Sequence, residues 1–246
     1  MNQETTPKHE RILIVGGSSG MGLSLAEQQL AAGAEVTIVG RSEDRLSAAR
    51  QRLPHPERLR TIAADVTSED EVQRLFQDVG MLDHIVSTAA DVTGVYVLLP
   101  EMDISVARKV MDSKVVGPLL LAKHGAPRLT PRGSITLTSG IAAYRPAAKG
   151  SVVAAVNGAL GSLGYALAVE LAPIRVNVVS PGWVDTPIWD AVVGSGKMAA
   201  LEAMAKRLLV GRIGQATDIA QAITSLMHNG FITGTVLHVD GGQRLV

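Results

Sequence analysis

The chain has 246 residues with Lys+Arg and Asp+Glu both at 23, so its formal net charge is zero. No basic stripe points to nucleic acid and no acidic tail points to a solvating role. Cysteine is absent, which excludes disulfides, thiolate metal sites and cysteine nucleophiles.

The start, Met1 to Glu10, is polar, lacks an apolar leader and reads as flexible. Apolar stretches such as Val152–Val156 and Leu119–Ala122 fall short of a bilayer span, so a cytoplasmic protein with no membrane and no nucleic-acid partner is expected. The length suits one large core, and residues 1–246 are expected to form a single domain. From there the chain alternates short β-branched runs with longer amphipathic stretches. Strands are predicted at Arg11–Val15, Glu35–Gly40, Leu59–Ala64, Leu82–Ser87, Ser134–Thr138, Arg175–Val179 and Val236–Val239. Helices are predicted at 20–32, 43–52, 69–79, 101–124, 151–171 and 216–228. That alternation predicts an α/β fold: a doubly wound, seven-stranded parallel sheet with helices on both faces. Residues 186–210, broken by Pro187, Gly194 and Gly196, read either as a lid over a binding site or as an ordinary surface excursion. The six histidines show no metal-ligand spacing; no metal site is expected, and all six read as structural or solvent-facing.

The first strand runs directly into Gly16-Gly17-Ser18-Ser19-Gly20-Met21-Gly22 and then into a helix. Glycines let the backbone turn tightly and approach a pyrophosphate, and the new helix offers free N–H groups and its positive dipole end. The strand–loop–helix–strand context is what a Rossmann-type dinucleotide site requires; a simple tight turn is the bland alternative. The second strand ends in Gly40, Arg41 and Ser42, where an NAD-preferring site has an acid for the ribose hydroxyls. Without that carboxylate, Arg41 can meet a 2′-phosphate, and NADP(H) is expected as cofactor. Ser42 reads as the cap of the following helix, with Glu43 and Asp44 in its first turn. The alternative for Arg41 is a solvated surface arginine.

The spacing Gly16-x-x-x-Gly20-x-Gly22 resembles that of the short-chain dehydrogenase/reductase family. Further ordered matches are Asp65-Val66, Ser139, Pro181-Gly182-Trp183-Val184-Asp185-Thr186, Arg212-Ile213-Gly214, Asp218-Ile219-Ala220, Ile232-Thr233-Gly234 and Asp240-Gly241-Gly242, covering nearly the whole chain. The resemblance implies cofactor contacts from Gly16, Ser18, Ser19, Gly20, Met21, Gly22, Arg41 and Ser42. It implies others from Asp65 and Val66 at the adenine, and from Val184 and Thr186 at the nicotinamide carboxamide. Thr88 and Ala89 stand in Ser87-Thr88-Ala89-Ala90, where the family has Asn-Asn-Ala-Gly, and with Pro181 and Gly182 complete the implied cofactor set. It also implies a small-molecule substrate and a homo-oligomer, a tetramer or dimer.

The resemblance breaks at the chemistry. The family uses a tyrosine as general acid/base and a lysine four residues later that lowers its pKa; those positions are Val153 and Asn157 here. The family's assisting asparagine aligns with Lys114, so lysine and asparagine have exchanged places. Pro118 cannot donate to the Lys114 carbonyl, which leaves that carbonyl and Asn157 as candidates to hold a relay water. Asn157, in an apolar helical run, needs a partner such as the cofactor ribose or nearby backbone. Tyr144 follows Ser139 on a loop that can reach the pocket. The candidate catalytic set is therefore Ser139, Lys114, Asn157 and Tyr144. Two functions remain open: an NADP(H)-dependent oxidoreductase acting on a small carbonyl or alcohol with a non-standard proton donor, or a non-redox NADP(H)-binding sensor or inactive partner subunit.

Overall fold

In the computed structural model, residues 9–246 are described; the flexible start expected over residues 1–10 lies outside them except for His9 and Glu10. The strands are β1 (Arg11–Val15), β2 (Glu35–Gly40), β3 (Leu59–Ala63), β4 (Leu82–Ser87), β5 (Leu129–Thr138), β6 (Arg175–Pro181), the short β7 (Val184–Asp185) and β8 (Gly214–Gln215), and β9 (Val236–Val239). The helices are α1 (Gly20–Ala31), α2 (Glu43–Arg52), α3 (Glu69–Asp78), α4 (Ile104–Met111), α5 (Gly117–Gly125), α6 (Ser151–Glu170), α7 (Ile188–Val193), α8 (Lys197–Ala205) and α9 (Ala216–His228).

Seven strands form one sheet in the order β3-β2-β1-β4-β5-β6-β9, and every pairing in it is parallel. The order runs outward in both directions from the β1/β4 boundary, which opens a crevice at the C-terminal strand ends. Each strand side is covered, so the strands are apolar on both faces. Along β1, Ile12 and Ile14 join the core made with Leu25 and Leu30 of α1 and Ile219 and Ile223 of α9, while Leu13 and Val15 join the opposite core with Leu75, Phe76, Leu121 and Leu160. α6 is apolar and long enough to cross a membrane by composition alone, yet Leu160 and Leu167 are buried in the core beside Val176 and Val178 of β6.

Three elements differ from their predicted form. β5 begins at Leu129, five residues earlier than predicted, because Leu129 pairs with Leu82 across a register irregularity that accommodates Pro131 and Gly133. The stretch 186–210 is not irregular throughout: α8 forms over an Ala-, Met- and Leu-rich segment of strong helix formers. Lys197 at its start bonds Asp185 (2.9 Å) and the Thr186 carbonyl (3.3 Å).

The predicted helix 101–124 is broken. A 3₁₀ turn at Leu99–Glu101 precedes α4, and Asp112–Val116 form a π-helical turn before α5, with Gly117 N–H donating to the Asp112 carbonyl. Pro118 supplies the reason: it has no N–H for the Lys114 carbonyl, so the α-register cannot continue through this turn.

Candidate active site

The crevice is a cleft of about 1610 Å³, larger than a typical drug-sized pocket and suited to a dinucleotide with a substrate beside it. At one end the glycine loop curves under it. Gly16 (φ +83°) and Gly20 (φ +53°) occupy left-handed backbone that disfavours side chains. A Cβ on Gly16 would lie 2.7 Å from the Ala89 nitrogen, and one on Gly22 would lie 2.4 Å from the Gly16 carbonyl. Thr88 Oγ1 donates to the Val15 carbonyl (3.1 Å), tying the loop after β4 to the loop after β1. The Ser19 side chain makes no cap hydrogen bond at the start of α1, so the first-turn N–H groups there are free of a side-chain acceptor. Gly22 and Ser42 do not line the cleft: Gly22 allows α1 to pack against the loop, and the Ser42 side chain accepts from Arg45 N–H (3.3 Å) as the cap of α2.

The other expected cofactor residues, Gly16, Ser18, Ser19, Gly20, Met21, Arg41, Asp65, Val66, Thr88, Ala89, Asn157, Pro181, Gly182, Val184 and Thr186, all line this one cleft. Asp65 Oδ1 accepts from Thr67 N–H and Oγ1, which shapes its own loop. Arg41 is paired with Asp91 on the loop after β4 at 2.9 Å. Burial raises the Asp91 carboxyl, but the Thr93 N–H and the Arg41 guanidinium outweigh it and hold the group below its usual value. Asp91 and Arg45, which line the cleft with Arg41, stand in no motif that marks them in the sequence.

At the other end, Ser139, Lys114, Asn157 and Tyr144 also line the cleft. The π-helical turn directs Lys114 inward: it is buried, and Nζ donates to the Thr138 carbonyl at 2.9 Å. Burial lowers its pKa to about 8. Ser139 Oγ donates to the Asn157 carbonyl at 2.7 Å. The Asn157 amide lies over Gly140, where a Cβ would sit 2.9 Å from Nδ2, and Asn157 Oδ1 is buried without a hydrogen-bond partner. Val153, one turn before Asn157, belongs to an apolar cluster with Val95, Val110 and Val156. The Tyr144 hydroxyl lies 3.8 Å from where a Gly161 Cβ would be, one helical turn after Asn157, and its ring meets His238 edge-on at 4.4 Å. Burial pushes its phenol up.

The cradle of glycines, the α1 terminus and the orphaned Asn157 oxygen together fit a nicotinamide dinucleotide. Other parts of the lining are apolar, with Val92, Ile141, Ile188 and the Trp183–Trp189 pair, whose centroids are 4.2 Å apart. Tyr96 is a hydroxyl there that the sequence reading missed, since it lies in a loop without a motif; burial pushes its phenol up.

Comparison with known proteins identifies the family. A family model described as enoyl-(acyl carrier protein) reductase matches residues 15–244. The chain belongs to the short-chain dehydrogenase/reductase family. Short-chain dehydrogenase/reductase ATR9 of Stachybotrys chlorohalonatus is 36% identical over 258 aligned positions, covering 98% of this chain and 99% of that one. The structure of MalC reductase/Diels-Alderase from Malbranchea aurantiaca superposes with a TM-score of 0.89 at 33% identity, covering 97% of this chain and 98% of that one. A small-chain dehydrogenase in complex with NADPH aligns with a TM-score of 0.82 at 32% identity, covering 97% and 100%. The family is one of oxidoreductases that bind nicotinamide cofactors and act on small molecules, and its members often form oligomers.

Proposed function

We propose that this protein is a cytoplasmic, homo-oligomeric NADPH-dependent reductase of a small apolar carbonyl or conjugated enone, in which Lys114 replaces the usual tyrosine as the proton source. The observation that carries the reading is the buried Lys114 amine inside the cleft, bonded to the Thr138 carbonyl one residue before Ser139, with its pKa lowered to about 8. A group titrating near the working pH is suited to general acid catalysis, whereas a phenol pushed above its usual value is not. The bound NADPH supplies the hydride. Lys114 Nζ supplies the proton through a relaying water, and Ser139 Oγ, turning from the Asn157 carbonyl, donates to the substrate oxygen. The Asn157 side chain holds the ribose in place of the lysine, satisfying its orphaned oxygen. Arg41, exchanging Asp91 for the cofactor, and Arg45 beside it hold the 2′-phosphate; the NADPH complex of a 32% identical relative supports this choice. The segment 186–210, latched through Lys197 to Asp185, closes over the substrate. Ile104, Met111 and Leu119 on α4 and α5, with Tyr165 and Val169 on α6, are exposed apolar side chains that support assembly.

Two observations favour the second reading, a non-redox NADP(H)-binding sensor or inactive partner subunit. Ser139 already spends its hydroxyl proton on the Asn157 carbonyl, and Val153 puts an apolar side chain where the tyrosine would be.

The two readings separate in an assay of NADPH and NADH consumption over a panel of carbonyls and conjugated enones. The reductase reading expects turnover by the natural protein, loss of it in Ser139→Ala, and an NADPH affinity weakened about 10- to 100-fold in Arg41→Ala, the worth of a charge-assisted hydrogen bond. Turnover only in Val153→Tyr/Asn157→Lys would instead assign the natural protein to the sensor or partner-subunit role. Full NADPH affinity in Arg41→Ala would remove the assignment of the 2′-phosphate site.

A further inference from the structure

At the opposite edge of the sheet, where the strands begin, three side chains from distant parts of the chain converge. Glu10 lies just before β1, His84 on β4, and His228 at the last position of α9. Their ligand-capable atoms all lie within 4.8 Å of one another. Glu10 Oε2 is 2.9 Å from His228 Nε2, and Glu10 Oε1 is 3.9 Å from His84 Nε2. The two imidazole rings meet edge-on with centroids 5.9 Å apart.

We propose that Glu10, His84 and His228 form a binding site for a divalent transition-metal ion of the zinc type, a site separate from the cofactor cleft. Two imidazoles and a carboxylate are the donor set of borderline metals such as Zn²⁺, Co²⁺ or Ni²⁺, whereas Mg²⁺ and Ca²⁺ take oxygen ligands. Ligands about 2.0–2.2 Å from a tetrahedral ion stand roughly 3–4 Å apart, and the carboxylate meets both imidazoles at close to that spacing.

The surroundings prepare the site. His84 Nδ1 is held by Ser134 Oγ at 2.8 Å inside the core, so its ring is fixed and Nε2 is turned to the other two groups. A second hydrogen bond of this kind is what orients metal-binding histidines. His228 sits at the negative end of the α9 dipole, which favours a cation. The Arg175 guanidinium binds the Leu226 and Met227 carbonyls just before it and so fixes that helix end. Glu10 and His228 are 44% and 45% exposed, which gives an ion a way in and leaves a position for water. Such an ion would cross-link the first strand, the fourth strand and the last helix, and so stabilise the folded state.

The test uses tag-free full-length protein stripped of metal with a chelator, titrated with ZnCl₂ by calorimetry and with CoCl₂ by visible absorption. One equivalent of each is expected to bind. The unfolding midpoint should rise by roughly 5–10 °C at free zinc about a hundred times Kd. Glu10→Gln and His228→Gln, both near the surface, should keep the fold and NADPH affinity yet weaken zinc binding at least about tenfold each. His84→Gln is the more drastic variant, and its fold is checked by circular dichroism before it is read. Absence of stoichiometric binding of both metals overturns the site. So does zinc binding that survives unchanged in Glu10→Gln and His228→Gln.

Discussion

A lysine amine removed from water resists carrying a charge, and Lys114 makes that cost measurable. Its pKa falls from 10.5 to about 8 on burial. The folded value lies below the unfolded one, so between about pH 8 and 10.5 the unfolded chain holds more protons than the folded chain, and stability rises with pH across that window. At about 1.4 kcal/mol per pKa unit the gain amounts to a few kcal/mol. Urea denaturation of the cofactor-free protein at pH 7.5 and 10 should reveal this rise, and Lys114→Met should flatten it; an identical rise in both proteins would mean that the amine is not held as described. That Lys114 is out of the ordinary was legible in the sequence only through the family resemblance, which implies an exchange with Asn157. What it bonds was not. The Thr138 carbonyl and the donation from Ser139 to the Asn157 carbonyl depend on side-chain directions that no spacing encodes. Asp91 was invisible for a similar reason: nothing near it in the chain marks it as the partner of Arg41.

At the scale of elements, the π-helical turn at Asp112–Val116 is the device that brings Lys114 into the cleft. Pro118 withholds a hydrogen bond by its chemistry, but the register change that follows could not be deduced, because a kink, a break or a π turn would each answer the missing donor. Restoring the donor in Pro118→Ala should let the α-register run through and swing Lys114 away. Turnover is then expected to fall by about 10²-fold, the effect of misplacing a reacting group by an ångström, with NADPH affinity kept within about threefold. Unchanged turnover in Pro118→Ala would break the link between the turn and the chemistry. The glycines and alanines of α6 give the complementary lesson. Gly158, Ala159, Gly161, Gly164 and Ala168 suggest one face for a neighbouring subunit, yet Gly164 faces its own sheet, where a Cβ would strike Val178 at 2.4 Å. Small residues look alike in sequence whether the close neighbour is in the same chain or another.

For the whole molecule, the fold was the most legible part, since short, continuously apolar strands alternating with amphipathic helices leave few arrangements other than a doubly wound sheet. The order of strands then sets the crevice, and the glycine loop marks its phosphate end. The Glu10–His84–His228 constellation was hidden, because only the closed sheet and the packing of α9 bring these residues together. The two ends of the sheet thus carry two proposed chemistries on one frame: a cleft that fits a nicotinamide cofactor, with Lys114 proposed as its proton donor, at the strand C-termini, and a proposed cross-linking site at their start. The central claim concerns the first of these. It is tested most directly by the pH profile of kcat for the best substrate of the panel, measured for the natural protein and Lys114→Met. With protonated Lys114 as the proposed donor, kcat should be level at low pH and fall as pH rises through about 8, while Lys114→Met should lose about 10²–10⁴ in rate and show no such fall. A natural profile that stays flat through pH 8, or one reproduced in full by Lys114→Met, would contradict the account.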